Sequence, residues 1–177
     1  MLDNENIIIQ RAKQGESEAF GLLYDHYYEQ IYRFIYLKVN RKEDAEDLTH
    51  QVFFQAFKKI KDYEEQGFPF SSWLYRISRN EVIDFYRSKK LNVSLEEVAN
   101  VLKSPENEKD SLDLKIQLEK VKAAIKKIKP DYQDIIIMRF IEELSIKEVA
   151  KVINKSEGAV KLMQHRAIKA LKKILEI

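Results

Sequence analysis

Asp47 and His50 stand three residues apart in "EDLTH", the spacing at which one helix offers a carboxylate and an imidazole to a metal ion. A carboxylate-bridged centre needs a second acid–histidine pair, and neither His26 nor His165 follows an acid at that spacing. The chain has no cysteine to serve as nucleophile or thiolate ligand, and no glycine-rich loop to cradle a phosphate. Covalent chemistry therefore lacks its usual residues. The expectation is a protein that is not an enzyme and uses no metal or other cofactor.

The remaining chemistry is recognition. "SSWLYRISRNEVIDFYRSKK", residues 71–90, interleaves Trp73, Tyr75, Phe85 and Tyr86 with Arg76, Arg79, Asn80 and Arg87. An ordinary amphipathic helix separates an apolar stripe from a charged one. Here Trp73, Ile77 and Phe85 fall on the side expected to pack inward, and Asp84 is placed to bond a neighbouring arginine. Arg76, Arg79, Asn80, Tyr86 and Arg87 are left as the ligand-facing set.

A second recognition element lies near the C-terminus. Ser145 and Glu148 have the capping-box spacing ahead of "IKEVAKVI", and a final helix is expected from Ser156 onward. Ala150 allows close approach of two helices, and Asn154 suits a left-handed turn residue. Val149, Ile153, Val160 and Met163 supply the small core of a helix-turn-helix. On the last helix Val160, Met163, Ala167, Leu171 and Ile174 face inward, leaving Gly158, Lys161, Leu162, His165 and Lys169 outward, with Gln164 and Arg166 at the margins. Lysine and arginine meet phosphates, whereas Gln, His or an apolar contact can read base edges. The first turn also offers free backbone N–H groups to a phosphate.

The elements that carry these residues read as helices throughout. Apolar residues recur at three- and four-residue steps over 17–39 and 42–60, a short helix is expected near 5–14, and Ser17 is placed as an N-cap. Four glycines and three prolines in 177 residues favour helices over a many-turned β architecture. Residues 1–91 carry 14 basic and 15 acidic side chains, residues 92–119 carry 3 and 7, and residues 120–177 carry 14 and 7. The net charges of −1, −4 and +7 suggest a balanced N-terminal domain, an acidic flexible linker and a basic C-terminal domain. One short helix within the linker is expected after Ser94, where Ser94 and Glu97 match a capping box. The fold expected is all-α: two small helical domains, the C-terminal one a four-helix, winged-helix-like helix-turn-helix domain. No signal peptide or membrane-length apolar run is present, so a cytoplasmic protein with no membrane partner is expected.

Three stretches, taken together, resemble bacterial sigma factors of the extracytoplasmic-function group. "KPDYQDIIIMRFIEELSIKEVAKVINKSEGAVKLMQHRAIKAL" is similar to that group's promoter-reading C-terminal domain, "EDAEDLTHQVFFQAF" to its polymerase-binding helix, and "FSSWLYRISRNEVIDFYR" to its promoter-melting helix. They occur in the family's order and spacing, and the resemblance extends over nearly the whole chain. The chain departs from the family at His50-Gln51, where Gln-Glu is frequent, and at Leu162-Met163, where Ser-Arg is frequent.

The resemblance implies a transcription initiation factor with region 2 at 1–91, a linker at 92–119 and region 4 at 120–177. It implies that Asp44, Glu46, Asp47, Gln51 and Phe54 bind the clamp coiled coil of the core RNA polymerase beta-prime subunit. Tyr63, Phe68, Arg76, Arg79, Asn80, Tyr86 and Arg87 would hold the melted minus-10 strand, with 61–70 a loop over a flipped base to which Glu64 and Gln66 also belong. Stacking on aromatic faces and pairing of phosphates with cations explain why those residue types stand close together. Ser156, Glu157, Gly158, Lys161, Leu162, His165 and Arg166 would meet minus-35 duplex DNA. An anti-sigma factor is a further partner usual in the family.

Energetics point to a large partner as well. Opening a base-pair step costs about 1.4 kcal/mol of stacking, so about a dozen steps exceed the roughly 1–3 kcal/mol returned by each of one or two captured bases. The competing expectation is a polymerase-independent helix-turn-helix regulator. It would bind duplex DNA alone as a two-fold dimer and would leave helix 71–90 unexplained.

Overall fold

A computed structural model describes residues 4–65, 67–92 and 112–175. Its regular elements are α1 (Glu5–Lys13), α2 (Ser17–Tyr36), α3 (Lys42–Lys59), α4 (Phe70–Asn92), α5 (Leu112–Lys127), α6 (Pro130–Phe140), α7 (Ile146–Ile153) and α8 (Glu157–Leu175). A single 3-10 turn, Ile60–Asp62, follows α3, and no described residue lies in a strand. The all-α expectation therefore holds. Helix α5 begins within the stretch read as linker, and the capping box expected at Ser94 and Glu97 lies outside the described residues, as does Gln66.

Apolar periodicity folds α1–α4 into one bundle. Leu23, Ile31, Phe34 and Ile35 of α2 meet Val52 and Ala56 of α3 and Leu74 of α4, all without solvent exposure. Each such large side chain contributes about 1.5–3 kcal/mol when taken from water. Ser17, expected as an N-cap, is instead the first residue of α2. The cap position falls on Glu16, and no side-chain cap bond forms. Between the 3-10 turn and α4, Gly67 adopts φ 70°, a conformation in which a side chain would be strained, and Pro69 follows before α4 begins at Phe70.

Helices α5–α8 surround Ile125, Ile135, Ile137, Met138, Val149, Val160 and Ala167. At the start of α7 the capping box is complete: the Ser145 N–H donates to Glu148 Oε2 at 2.6 Å, and the Glu148 N–H donates to Ser145 Oγ at 3.2 Å. Asn154 ends α7 at φ 54°, ψ 53°, and the Lys155 N–H then closes back on the Ala150 carbonyl at 2.9 Å. Ser156 Oγ accepts the Ala159 N–H at 3.2 Å and so caps α8. The turn chemistry aims α8 away from α7 with its outer face free. Among the described residues no helix is long and apolar enough to cross a membrane.

Candidate functional site

Helix α4 divides its aromatic residues between two jobs. Tyr75 is core: its ring stands edge-on to Phe34 at 5.4 Å, and its hydroxyl donates to Glu142 at 3.0 Å. Burial, and then the Glu142 charge, raise its pKa well above the tyrosine norm. Trp73 is half-buried and, with Tyr63 and Phe70, forms an aromatic wall with ring separations of 5.1–5.3 Å. Tyr63 and Trp73 of that wall, with Phe68, Pro69, Ser72, Arg76 and Lys151, line a cavity of about 180 Å³. Tyr63 is 7% exposed and its pKa is pushed up to about 12 by burial, then by Glu65 and Glu5. The backbone carbonyl of Tyr63 accepts from Lys13 Nζ at 2.7 Å, which pins the loop to α1.

The cations of α4 are unequal. Arg76, Asn80 and Arg87 are exposed, and Arg87 lies 3.2 Å from Asp84 one turn earlier. Arg79 is engaged across the molecule, donating to Asp134 at 2.8 Å and to Asp131 at 2.8 Å. Burial works against its charge, but Asp134 and Asp131 outweigh burial and raise its pKa. The Tyr86 hydroxyl donates to the Lys38 carbonyl at 2.7 Å while part of the ring stays in solvent.

Helix α3 buries Ala45, Leu48, Val52 and Phe53 and turns Asp47, His50, Gln51, Phe54 and Lys58 outward. Phe54 is 50% exposed, with Lys58 Nζ 4.2 Å from its ring centre. Asp44 is less free, lying 3.2 Å from Lys89 of α4, and Glu46 pairs with Lys42 at 3.4 Å. Asp47 and His50 are both exposed, and among the described residues no three metal-ligating side chains converge.

Helix α8 presents Glu157, Gly158, Lys161, Leu162, His165 and Arg166 to solvent, with Ser156 at its cap. Leu162 is 52% exposed, within the row of Lys161, His165 and Arg166. Gln164 is drawn inward, its side-chain oxygen accepting from Arg139 at 3.1 Å.

Three features escape the sequence reading. Ser72 Oγ is buried in the cavity wall with no hydrogen-bond partner, and nothing local marks it apart from Ser71. Phe57 is 46% exposed beside Phe54, and its position one turn after that residue was the available signal. Lys147 and Lys151 each reach 5.4 Å from the Phe68 ring, a cation–π contact between α7 and the loop that only tertiary structure reveals.

The Sigma-70 region 2 family model matches residues 23–91, and the Sigma-70 region 4 model matches residues 118–171. The ECF RNA polymerase sigma factor BldN of Streptomyces coelicolor is 36% identical over 170 residues, covering 95% of this chain and 64% of that protein. The ECF RNA polymerase sigma factor SigW of Bacillus subtilis is 32% identical over 182 residues, covering 94% of each chain. In fold, the chain is similar to the sigma factor RpoE of Bartonella quintana, solved with the anti-sigma factor NepR, at a TM-score of 0.74 and 23% identity, covering 89% of this chain and 97% of that one. With both regional matches in order and a relative 32% identical over 94% of its own length, the chain belongs to the extracytoplasmic-function group of the sigma-70 family of RNA polymerase sigma factors.

Proposed function

We propose that this protein binds core RNA polymerase in the cytoplasm and directs it to promoters by reading two DNA elements with two different chemistries. Residues 1–91 act as the polymerase-binding and minus-10 domain, 92–119 as the connector and 120–177 as the minus-35 domain. The observation that carries the reading is the pairing, in one chain, of an open cationic helix-turn-helix face on α8 with an aromatic cavity at the head of α4. Duplex DNA is read by the first kind of surface and an unstacked base is held by the second.

In detail, Ser156, Glu157 and Gly158 set the first turn of α8 against a phosphate, Lys161 and Arg166 hold the backbone, and Leu162 and His165 meet base edges. On the other element, Tyr63, Phe68 and Trp73 wall a single base. Arg76, Asn80, Tyr86 and Arg87 follow the strand, joined by Arg79 once it is released. Asp44, Glu46, Asp47, Gln51 and Phe54, extended by Phe57, dock on the clamp coiled coil of the beta-prime subunit, with Phe54 as the anchor. The protein supplies no covalent chemistry, since bond formation belongs to the polymerase. An anti-sigma factor that covers these surfaces is a further partner, in keeping with the complex formed by the Bartonella relative.

Run-off transcription with bacterial core polymerase and sheared host DNA, with and without the protein, tests the reading. New starts sharing two spaced upstream motifs are expected. No new starts, together with duplex binding by the protein alone, would favour the independent regulator.

A further inference from the structure

Helix α1 lies ahead of residues 23–91, outside the segment that the region 2 model matches. It packs on α2 and on the 3-10 turn, and each of its ends bonds to a group that bears on the aromatic cavity. At the first end, the buried carboxylate of Glu5 accepts from the Tyr27 hydroxyl, and the Tyr27 ring stands 5.7 Å from Phe70. At the last, Lys13 Nζ donates to the Tyr63 carbonyl at 2.7 Å. The two ends lie about 12 Å apart along the axis, at about 1.5 Å per residue. Ile9 and Ala12 are buried between them and fix the seat of the helix on the bundle.

Both backbone polar groups of Tyr63 are thereby tied. Its N–H donates to the Ile60 carbonyl at 3.1 Å, and its own carbonyl is held by Lys13. The peptide plane that leads on to Glu64, a lining residue of the cavity, is therefore set from outside the loop. The same backbone carries the Tyr63 ring, edge-on to Phe70 and 5.1 Å from Trp73. Between Asp62 and Phe70 no described residue belongs to a helix, so this segment takes its anchor from α1 and not from a ladder of its own. Asn6 adds a contact to Glu65, but at 3.4 Å and in solvent it is the weaker of the two.

We infer that Lys13 is a positioning residue for the base-holding loop: from α1 it sets the Tyr63 peptide and so holds the aromatic wall in place before a strand arrives. This inference rests on the proposed role of the cavity. The physical gain is preorganisation, since a wall already in its bound geometry need not be ordered when the base enters. A charged donor suits the task, because a hydrogen bond from an ammonium is stronger and shorter than a neutral one.

Trp73, the only tryptophan in the chain, reports on the wall directly. Lys13→Met keeps the aliphatic stem and removes the donor. In the free full chain it should move Trp73 emission to longer wavelength and raise its quenching by acrylamide. Lys13→Arg, which still offers N–H donors, should restore both. Arg11→Ala removes a cation of the same helix that pairs with Glu16 instead, and should change neither. Thermal unfolding should show all three variants folded. Strand binding is then read by anisotropy, with holoenzyme and the labelled non-template strand of a mapped promoter. If the unpinned loop keeps its bound geometry about one-tenth of the time, Lys13→Met binds the strand about tenfold more weakly. Replacing each base in turn by an abasic site locates the captured base. At that position the deficit of Lys13→Met should vanish, because the two changes remove the same interaction.

Unchanged Trp73 emission in Lys13→Met, an equal change in Arg11→Ala, or equal weakening on intact and abasic strands would each overturn the assignment of Lys13. A wild type that loses no affinity at any abasic position would instead refute the base-holding role of the cavity. The Trp73 emission, measured without DNA or polymerase, would still decide whether Lys13 sets the wall.

Discussion

Replacing Lys161 and Arg166 together by alanine removes two cations from the outer face of α8. Both are exposed, and among the described residues neither is held by an ion pair, so each is available to a phosphate without first losing a partner. A phosphate contact releases condensed counterions and contributes about −0.9 to the slope of log K against log salt. Losing two contacts should flatten the slope by about 1.8. Over a fourfold rise in salt, from about 50 to about 200 mM, the double variant should lose about 12-fold less affinity than wild type. The assay is fluorescence anisotropy of the full chain on a minus-35 duplex taken from a mapped promoter, titrated at several salt concentrations. Lys172→Ala with Lys173→Ala is the control: it removes the same charge from the last turn of the same helix, away from the reading row. An unchanged slope in the first variant, or equal flattening in the control, would refute α8 as the local phosphate contact.

Phe54→Ala should weaken core polymerase binding at least about fivefold, because an exposed aromatic anchor is worth more than about 1 kcal/mol, while thermal stability moves by less than about 0.5 kcal/mol. Competition binding to core enzyme and a melting curve check the two halves of that expectation. Asn154→Val should destabilise the C-terminal domain by about 1–2 kcal/mol, since a β-branched residue resists the left-handed turn, whereas Asn154→Gly should be tolerated; thermal unfolding of the two variants decides. Folded Tyr63 keeps its proton to about pH 12, against an ordinary value near 10 in the unfolded chain. Its contribution to stability is thus complete below about pH 10 and is lost as pH rises towards 12. Tyr63→Phe should lessen the fall in stability across that window in urea titrations.

How much was legible from sequence differs from element to element. The helices of α2, α3 and α4 follow from apolar residues three and four apart, and their observed ends fall within a few residues of those expected. Ser145, Glu148 and Asn154 act within one turn of themselves, so their capping and left-handed roles could be read directly. Ser17 misled because a capping residue must sit one position outside the helix, and the chain begins α2 on it. The sorting of α4 was partly visible: Ile77 and Phe85 pack inward as their periodicity requires, and Arg87 pairs with Asp84 as their spacing allows.

Tyr75 and Arg79 mark where that legibility stops. Nothing within a few residues of Tyr75 says that its hydroxyl will meet Glu142, 67 positions later, or that Arg79 will be tied to Asp131 and Asp134, 52 and 55 positions away. Helical period, caps, turn chemistry and the family's ordered motifs are local properties, and the sequence alone determined them, because their partners lie within a turn or two. Which cations are open to DNA and which are spent against the other domain depends on the docking of α6 and α7 against the N-terminal bundle. Only the tertiary structure decided that, because a buried charge takes its partner from whatever surface folding brings opposite it.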